Sequence, residues 1–184
     1  DERVLTLVSH PGNLEQRWTL RDFGGKVLRE FATEPLTAPI LRQTYIHRGQ
    51  GLLAAIDQED YETPVAVHYI TDHLGTTRLE TTAAGLVSQS WKYFPSGEEI
   101  VPASQGGLSL RFTSHERDRF NLQGIADDQN YMHARFHSPL TGRMLSVDPV
   151  GGNPGRPQSW NRYAYALGNP LKFIDPHGMK PQSI

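Results

Sequence analysis

Cysteine is absent from the 184 residues, which excludes disulfides, thiolate zinc sites and a cysteine nucleophile while leaving the compartment open. Also missing are a run of about 18 apolar residues and a basic segment leading into an apolar one at the start, so neither a membrane span nor a signal peptide is visible. An excess of charge of one sign is missing too. Eighteen Lys and Arg stand against 20 Asp and Glu, a net −2 with pI near 6.5, which makes no electrostatic case for nucleic acid or an anionic membrane as partner. Apolar residues are scarce, at 37% with a mean hydropathy of −0.51, lean for a self-contained globule. No Ser/His/Asp signature, phosphate-cradling loop or dinucleotide fingerprint occurs, since Gly24-Gly25 and Gly106-Gly107 lack the required flanks. Opening on Asp1-Glu2-Arg3 and not on Met, the sequence reads as a fragment or a processed product.

Turn formers are plentiful, with 17 Gly and 13 Pro set among short β-branched and aromatic runs. Residues 4–8 read as a strand that ends at His10-Pro11-Gly12. Residues 16–21 and 26–31 flank Asp22-Phe23-Gly24-Gly25, residues 45–48 and 52–56 flank Gly49-Gln50-Gly51, and residues 68–71 and 76–81 flank Asp72-His73-Leu74-Gly75. A fourth copy passes Gly85 into residues 86–93 and turns at Phe94-Pro95-Ser96-Gly97. An aromatic, a glycine turn and a returning strand, recurring at about 20 to 30 residues, spell a β-hairpin array in which each unit buries its face on a neighbour. The strand edges of so short an array would need a partner. Residues 57–63 and 102–107 read as loops.

Farther along, residues 108–113 alternate at period two and read as a half-buried strand. Residues 131–137 do the same, with Met132, Ala134 and Phe136 on one face and Tyr131, His133, Arg135 and His137 on the other. Ser159 can cap a short helix over residues 160–166 that Gly168 and Pro170 stop. That helix separates two Asp-Pro pairs, Asp148-Pro149 and Asp175-Pro176, and can fold them back toward each other.

Two carboxylates about 3 Å apart cannot both ionise cheaply, so one keeps a proton as an acid while the other activates water. Arg143, just upstream, could hold one of them charged. Asp148, Asp175 and Arg143 are therefore the candidate catalytic set of an aspartic dyad. The same pairs also read as architecture, because the aspartate caps backbone amides while proline fixes φ; spacing alone leaves both readings open. His133 and His137 share a face that His115 could join, but four residues of strand separate their Cα atoms by about 13 Å, too far for one metal ion. Glu116, Asp118, Asp127 and Asp128 match no EF-hand spacing and read as solvated turns. Arg111, Arg117 and Arg135 are expected to pair with such acids and pin the strands. Trp91, Trp160, Tyr163 and Tyr165 suit a carbohydrate platform or, in a repeat, core stacking between turns. No cofactor and no metal is expected.

Five ordered blocks carry a family resemblance. They are His73-Leu74-Gly75-Thr76-Thr77-Arg78; Tyr93-Phe94-Pro95-Ser96-Gly97-Glu98-Glu99; Arg111-Phe112-Thr113-Ser114-His115-Glu116-Arg117-Asp118; Ala134-Arg135-Phe136-His137-Ser138-Pro139-Leu140-Thr141-Gly142-Arg143; and Asn161-Arg162-Tyr163-Ala164-Tyr165 through Asn169-Pro170 to Asp175-Pro176-His177-Gly178. Spread over about 110 residues, they resemble the shared core of the Rhs and YD-repeat proteins, which are similar to toxin-complex C subunits. The resemblance implies an all-β fold. Residues 1–100 would be the last YD-like hairpin repeats of a hollow β-shell, and residues 101–184 the Rhs-associated core, a plug containing a short helix. It also implies self-cleavage after the Asp-Pro-x-Gly-Leu motif, here between Met179 and Lys180, with Met179 where the family has leucine. In the family a variable toxin follows that motif, whereas here five residues follow, so either the chain stops short of a payload or this member carries none. The implied partners are the rest of its own shell and a C-terminal toxin cargo or neighbouring shell subunit, with no nucleic acid and no membrane span. The implied location is secreted or on a bacterial surface. The function expected is closing a shell around a cargo and freeing it by one intramolecular cut; the alternative is a non-enzymatic structural or adhesive module.

Overall fold

Short β-branched runs joined by tight turns can satisfy their backbone groups locally, each strand pairing with the one before it. The computed structural model describes residues 3–10, 13–33, 38–49, 51–58, 63–100, 109–118 and 128–183 and follows that rule. Strands β1 (Leu5–His10), β2 (Asn13–Arg21), β3 (Val27–Thr33), β4 (Ile40–Arg48), β5 (Gly51–Asp57), β6 (Val65–Thr71), β7 (Thr77–Thr82) and β8 (Val87–Ser90) form one antiparallel sheet in chain order. The fold is all-β, as the hairpin grammar predicts. Residues 59–62, 102–107 and Asp127, part of the expected loops and acidic cluster, lie outside the described residues.

One turn is used four times. In Asp22–Gly25 the first residue donates its N–H to the carbonyl four positions on, and the glycine N–H returns to the first carbonyl, at 2.9 and 3.0 Å. The turns opening at Asp72, Thr82 and Phe94 repeat both bonds. Their glycines, Gly25, Gly75, Gly85 and Gly97, sit at φ between +79° and +88°, where a Cβ would be strained. Asp22 and Asp72 also accept two backbone N–H groups each through Oδ1, so the aspartate fixes the start of the turn.

Alternation assigns the two faces of the sheet. Thr19, Tyr45, Leu52 and Tyr69 are buried while Leu20, Ile46, Leu53 and Ile70, the next residue in each case, are exposed. Val27, Tyr45, Leu52, Ala55, Tyr69, Trp91, Tyr93 and Leu110 make the core on the covered face. A second sheet is made by β9 (Glu116–Asp118), β10 (Gln129–Met132), β11 (Arg135–Ser138) and β12 (Arg143–Met144), in the order β12-β11-β10-β9, beside the pair β13 (Phe173–Ile174) and β14 (Gln182–Ser183), and the Arg21–Glu116 pair ties it to the first. Phe112, Met132, Met144, Tyr165 and Ala166 form the second core.

Three local expectations change. Residues 131–137 are not one strand but a hairpin, with Tyr131 opposite Phe136 and Met132 opposite Arg135; His133 turns the chain at φ +56°. Residues 110–113 do not alternate: Leu110, Arg111, Phe112 and Thr113 are all buried, in a bridge followed by a 3-10 turn. The helical element expected over 160–166 is present as 3-10 turns on either side, Pro157–Trp160 and Ala166–Gly168. Leu167 at φ +54° and Ala166 at φ +48° break any continuous helix.

Candidate active site: two carboxylates on one guanidinium

Because β10 and β11 pair tightly, the hairpin offers a flat end, and the turn after β13 docks there. Ala134 N–H donates to the His177 carbonyl at 3.2 Å, and His115 Nε2 donates to the Pro176 carbonyl at 3.2 Å. Gly178 stands at φ +66°, and a Cβ on it would run into the Met132 carbonyl. Only glycine fits that approach. Segment 143–148 reaches the same place from the other side: Leu145 N–H donates to the Phe136 carbonyl at 2.8 Å, Met144 N–H to the Tyr163 carbonyl at 2.9 Å, and Asp148 N–H to the Arg162 carbonyl at 3.0 Å.

Arg135, with its side chain 2% exposed, is the hub. Its terminal Nη2 lies 3.1 Å from Asp148 Oδ2 and 3.3 Å from Asp175 Oδ2. Its Nη1 donates to the Arg162 carbonyl at 3.2 Å and its Nε to the Gly178 carbonyl. Asp175 is buried, and its other oxygen, Oδ1, accepts the N–H groups of Met179 and Lys180, both at 2.9 Å. Asp148 is closer to solvent, with Oδ1 accepting the Val150 N–H at 2.8 Å and its carbonyl accepting Arg162. Burial pushes the Asp175 carboxyl above the usual carboxylate range, and the charge of Asp148 adds to this; the Lys180 and Met179 amides and Arg135 pull it back.

The structure brings together Asp148, Asp175, Met179 and Lys180 of the sequence candidates, and it does not bring Arg143. That side chain is on the exposed edge, with Nη2 3.4 Å from Asn161 Oδ1 and its guanidinium 5.9 Å from the Tyr163 ring. β11 and β12 run antiparallel with Ser138 opposite Arg143, so Arg135 faces the carboxylates instead. Nor do the two carboxylates touch as a bare dyad: the Arg135 nitrogen bridges them. The signal that could have found Arg135 is the Ala134-Arg135-Phe136 block, where the sequence reading had it as a strand pin.

The remaining candidates separate. His137 is buried between Phe112 and Tyr165, 4.6 Å from the Tyr165 centroid, away from His133. Arg117 pairs with Glu99 at 3.4 Å and with Asp128 at 3.9 Å, as the pinning expectation had it, whereas Glu116 and Asp128, expected in solvated turns, are buried, Glu116 in β9 where Arg21 and Arg3 hold it. Trp91 and Tyr165 are buried core residues while Trp160 and Tyr163 are exposed, so the four aromatics form no common platform. Among the described residues no helix is long and apolar enough to cross a membrane.

No family model matches the chain. It is 33% identical over 108 residues to toxin subunit YenC2 of Yersinia entomophaga, an alignment covering 56% of this chain and 10% of that protein. It is 35% identical over 145 residues, 77% of this chain and 10% of the other, to double-stranded DNA deaminase toxin A of Burkholderia cenocepacia. With tRNA nuclease WapA of Bacillus subtilis it shares 35% identity over 65 residues, 33% of this chain and 3% of that one. The chain thus spans about a tenth of the length of the first two relatives. Among solved structures it resembles the TcdB2-TccC3-Cdc42 crystal structure with a TM-score of 0.69 at 18% identity, over 95% of this chain and 8% of that one. At that identity the likeness speaks for the fold.

Proposed function

The chain belongs to the Rhs/YD-repeat proteins, a toxin-associated module of Rhs type, and from that premise we propose that it closes a β-shell around a C-terminal cargo and cuts itself once between Met179 and Lys180. One observation carries the proposal: the buried Asp175 accepts the N–H of Lys180, the nitrogen that would leave, while Arg135 ties Asp175 to Asp148 and to the carbonyl of Gly178.

In the proposed reaction Asp148, oriented by Arg135, takes a proton from water as the oxygen adds to the Met179 carbonyl carbon. Asp175, whose burial favours its protonated form, is the acid that delivers a proton to the Lys180 nitrogen as the C–N bond breaks. The products are a Met179 carboxylate and a Lys180 amine. Since the bond is held by its own chain, positioning supplies most of the acceleration, and a unimolecular geometry is worth about 7 kcal/mol of barrier or more. The rest of the shell, the cargo and a secreted or surface location belong to the same proposal.

The test is intact mass of the chain carrying a reporter domain after Ile184, beside its Asp148→Asn and Asp175→Asn variants. A wild-type product ending at Met179, with both variants whole, is the expected result. Three uncut proteins would leave the architectural reading, in which Asp175 Oδ1 simply caps the amides of its own turn.

A further inference from the structure

A second concavity lies behind the docked turn. The β2–β3 turn, the end of β4, the β6–β7 turn, residues 110–116, the β10–β11 turn and residues 174–182 enclose about 220 Å³. Its wall is unusually basic. Arg21, Lys26, His47, His115, His133 and His177 line it against a single carboxylate, Glu116, which Arg21 and Arg3 already hold. His133 stands in the middle, its ring centroid 6.1 Å from His115 and 5.6 Å from both His177 and Tyr131. The turn glycine makes room for it: a Cβ on Gly25 would lie 2.7 Å from His133 Cε1.

The bonding of the rings decides what such a wall can take. His115 gives Nε2–H to the Pro176 carbonyl, so its Nδ1 accepts from Thr113 Oγ1 at 2.8 Å. With both nitrogens engaged it has no lone pair for a metal, and among the described residues no group of three or more His, Asp or Glu is arranged to hold one. His47 gives Nε2–H to the Val27 carbonyl at 2.7 Å, and its Nδ1 is buried with no partner in the protein. A proton arriving on His47 must therefore land on Nδ1, as a new donor. Lys26 Nζ spends one N–H on the Gly49 carbonyl at 2.6 Å and keeps two more. The apolar remainder, Val27, Leu74, Leu110 and Ile174, raises the strength of any charge pairing made there.

We propose that this cavity binds a small oxyanion, a carboxylate, sulfate or phosphate group, held by Lys26, His133, His177 and the Nδ1 edge of His47. Arg21 and Glu116 stay paired with each other, and burial holds the His115 ring down at about 4, so neither supplies the charge that the occupant meets. Pro176 and His177 belong to the turn that carries Gly178 and Met179, so an occupant braces that turn. The site uses none of Asp148, Asp175 or Arg135, and it goes beyond the self-cleavage reading.

Sodium sulfate is the probe, since it stays a dianion throughout, with sodium chloride at matched ionic strength as reference. The imidazole resonances are followed by NMR as each salt is added. The expected result is saturable shifts of His47, His133 and His177 with sulfate alone. Lys26→Gln and His177→Gln should each weaken binding about tenfold with the other resonances unmoved. Shifts that never saturate, that chloride reproduces, or that both variants leave unchanged would overturn the site. The same titration on the Asp148→Asn protein gives the same outcome whether or not the chain cuts itself, which separates this proposal from the previous one.

Discussion

Arg135 reaches four acceptors at once: the Gly178 and Arg162 carbonyls, Asp148 and Asp175. A lysine keeps the charge but cannot span such a fork. Arg135→Lys should therefore slow self-cleavage by about a hundredfold, the scale of an ångström-sized misplacement, whereas Arg143→Ala should cut at the wild-type rate; a mass time course reads both. The sequence reading favoured Arg143 because it is near Asp148 along the chain, but in antiparallel structure proximity is set by register. Buried imidazoles give a second prediction at this scale. Burial holds His115 at about 4 and His137 at about 3, below their unfolded value, so both contribute stability that is fully present above about pH 6.5 and lost as the pH falls toward 4 and 3. By linkage each ring should cost on the order of 2 kcal/mol between about pH 7 and pH 4.5. Asp175 shifts the opposite way, its carboxyl raised by burial, so it gains stability as the pH falls through its folded value and opposes part of this loss. Urea unfolding across the window should show stability falling with acid, and more shallowly in His137→Gln.

At the level of elements, the turns were legible and the hairpin at residues 133–134 was not. Asp22-x-x-Gly25 and Asp72-x-x-Gly75 announce themselves because the aspartate caps amides and the glycine alone takes positive φ cheaply. His133 takes the same region of φ without glycine, a conformation for which His is several-fold enriched among side chains, and its ring is settled by Gly25, a contact more than a hundred residues away that no local pattern carries. Equally, the 3-10 turns around residues 160–166 follow from positive φ at Ala166 and Leu167, which a helical apolar pattern does not reveal. Gly75→Ala should destabilise by about 1 kcal/mol or somewhat more, while Gly151→Ala, with nothing within 4 Å of an added Cβ and no positive φ, should stay within about 0.5 kcal/mol. Equal midpoints for the two in urea would remove the positive-φ account of the repeat.

The whole molecule resolves the lean composition in a way the percentages could not. Much of the interior is polar and paired: Glu30 with Ser109 and Tyr45, Arg117 with Glu99, Asn130 and the Gly97 carbonyl, and Arg111 packed 4.4 Å from the Trp91 ring centroid. Apolar residues are correspondingly free to appear outside. On the sheet Leu7, Leu20, Ile46, Leu53 and Ile70 are between 42% and 59% exposed, spread over strands that pair in sequence order. Large apolar side chains left outside on so many strands suit a surface that is covered in its working state, as the proposed shell would require. The isolated chain should then self-associate with rising concentration. Sedimentation velocity is expected to show a concentration-dependent increase that the combined Leu20→Lys, Ile46→Lys and Ile70→Lys variant abolishes, while its thermal midpoint stays within a few degrees of the parent, since surface substitutions of this kind change stability by about 0.5 kcal/mol or less apiece. A parent that sediments as a monomer at every concentration would mean that the face tolerates water, and the case for a covering wall of further strands would lose its physical basis.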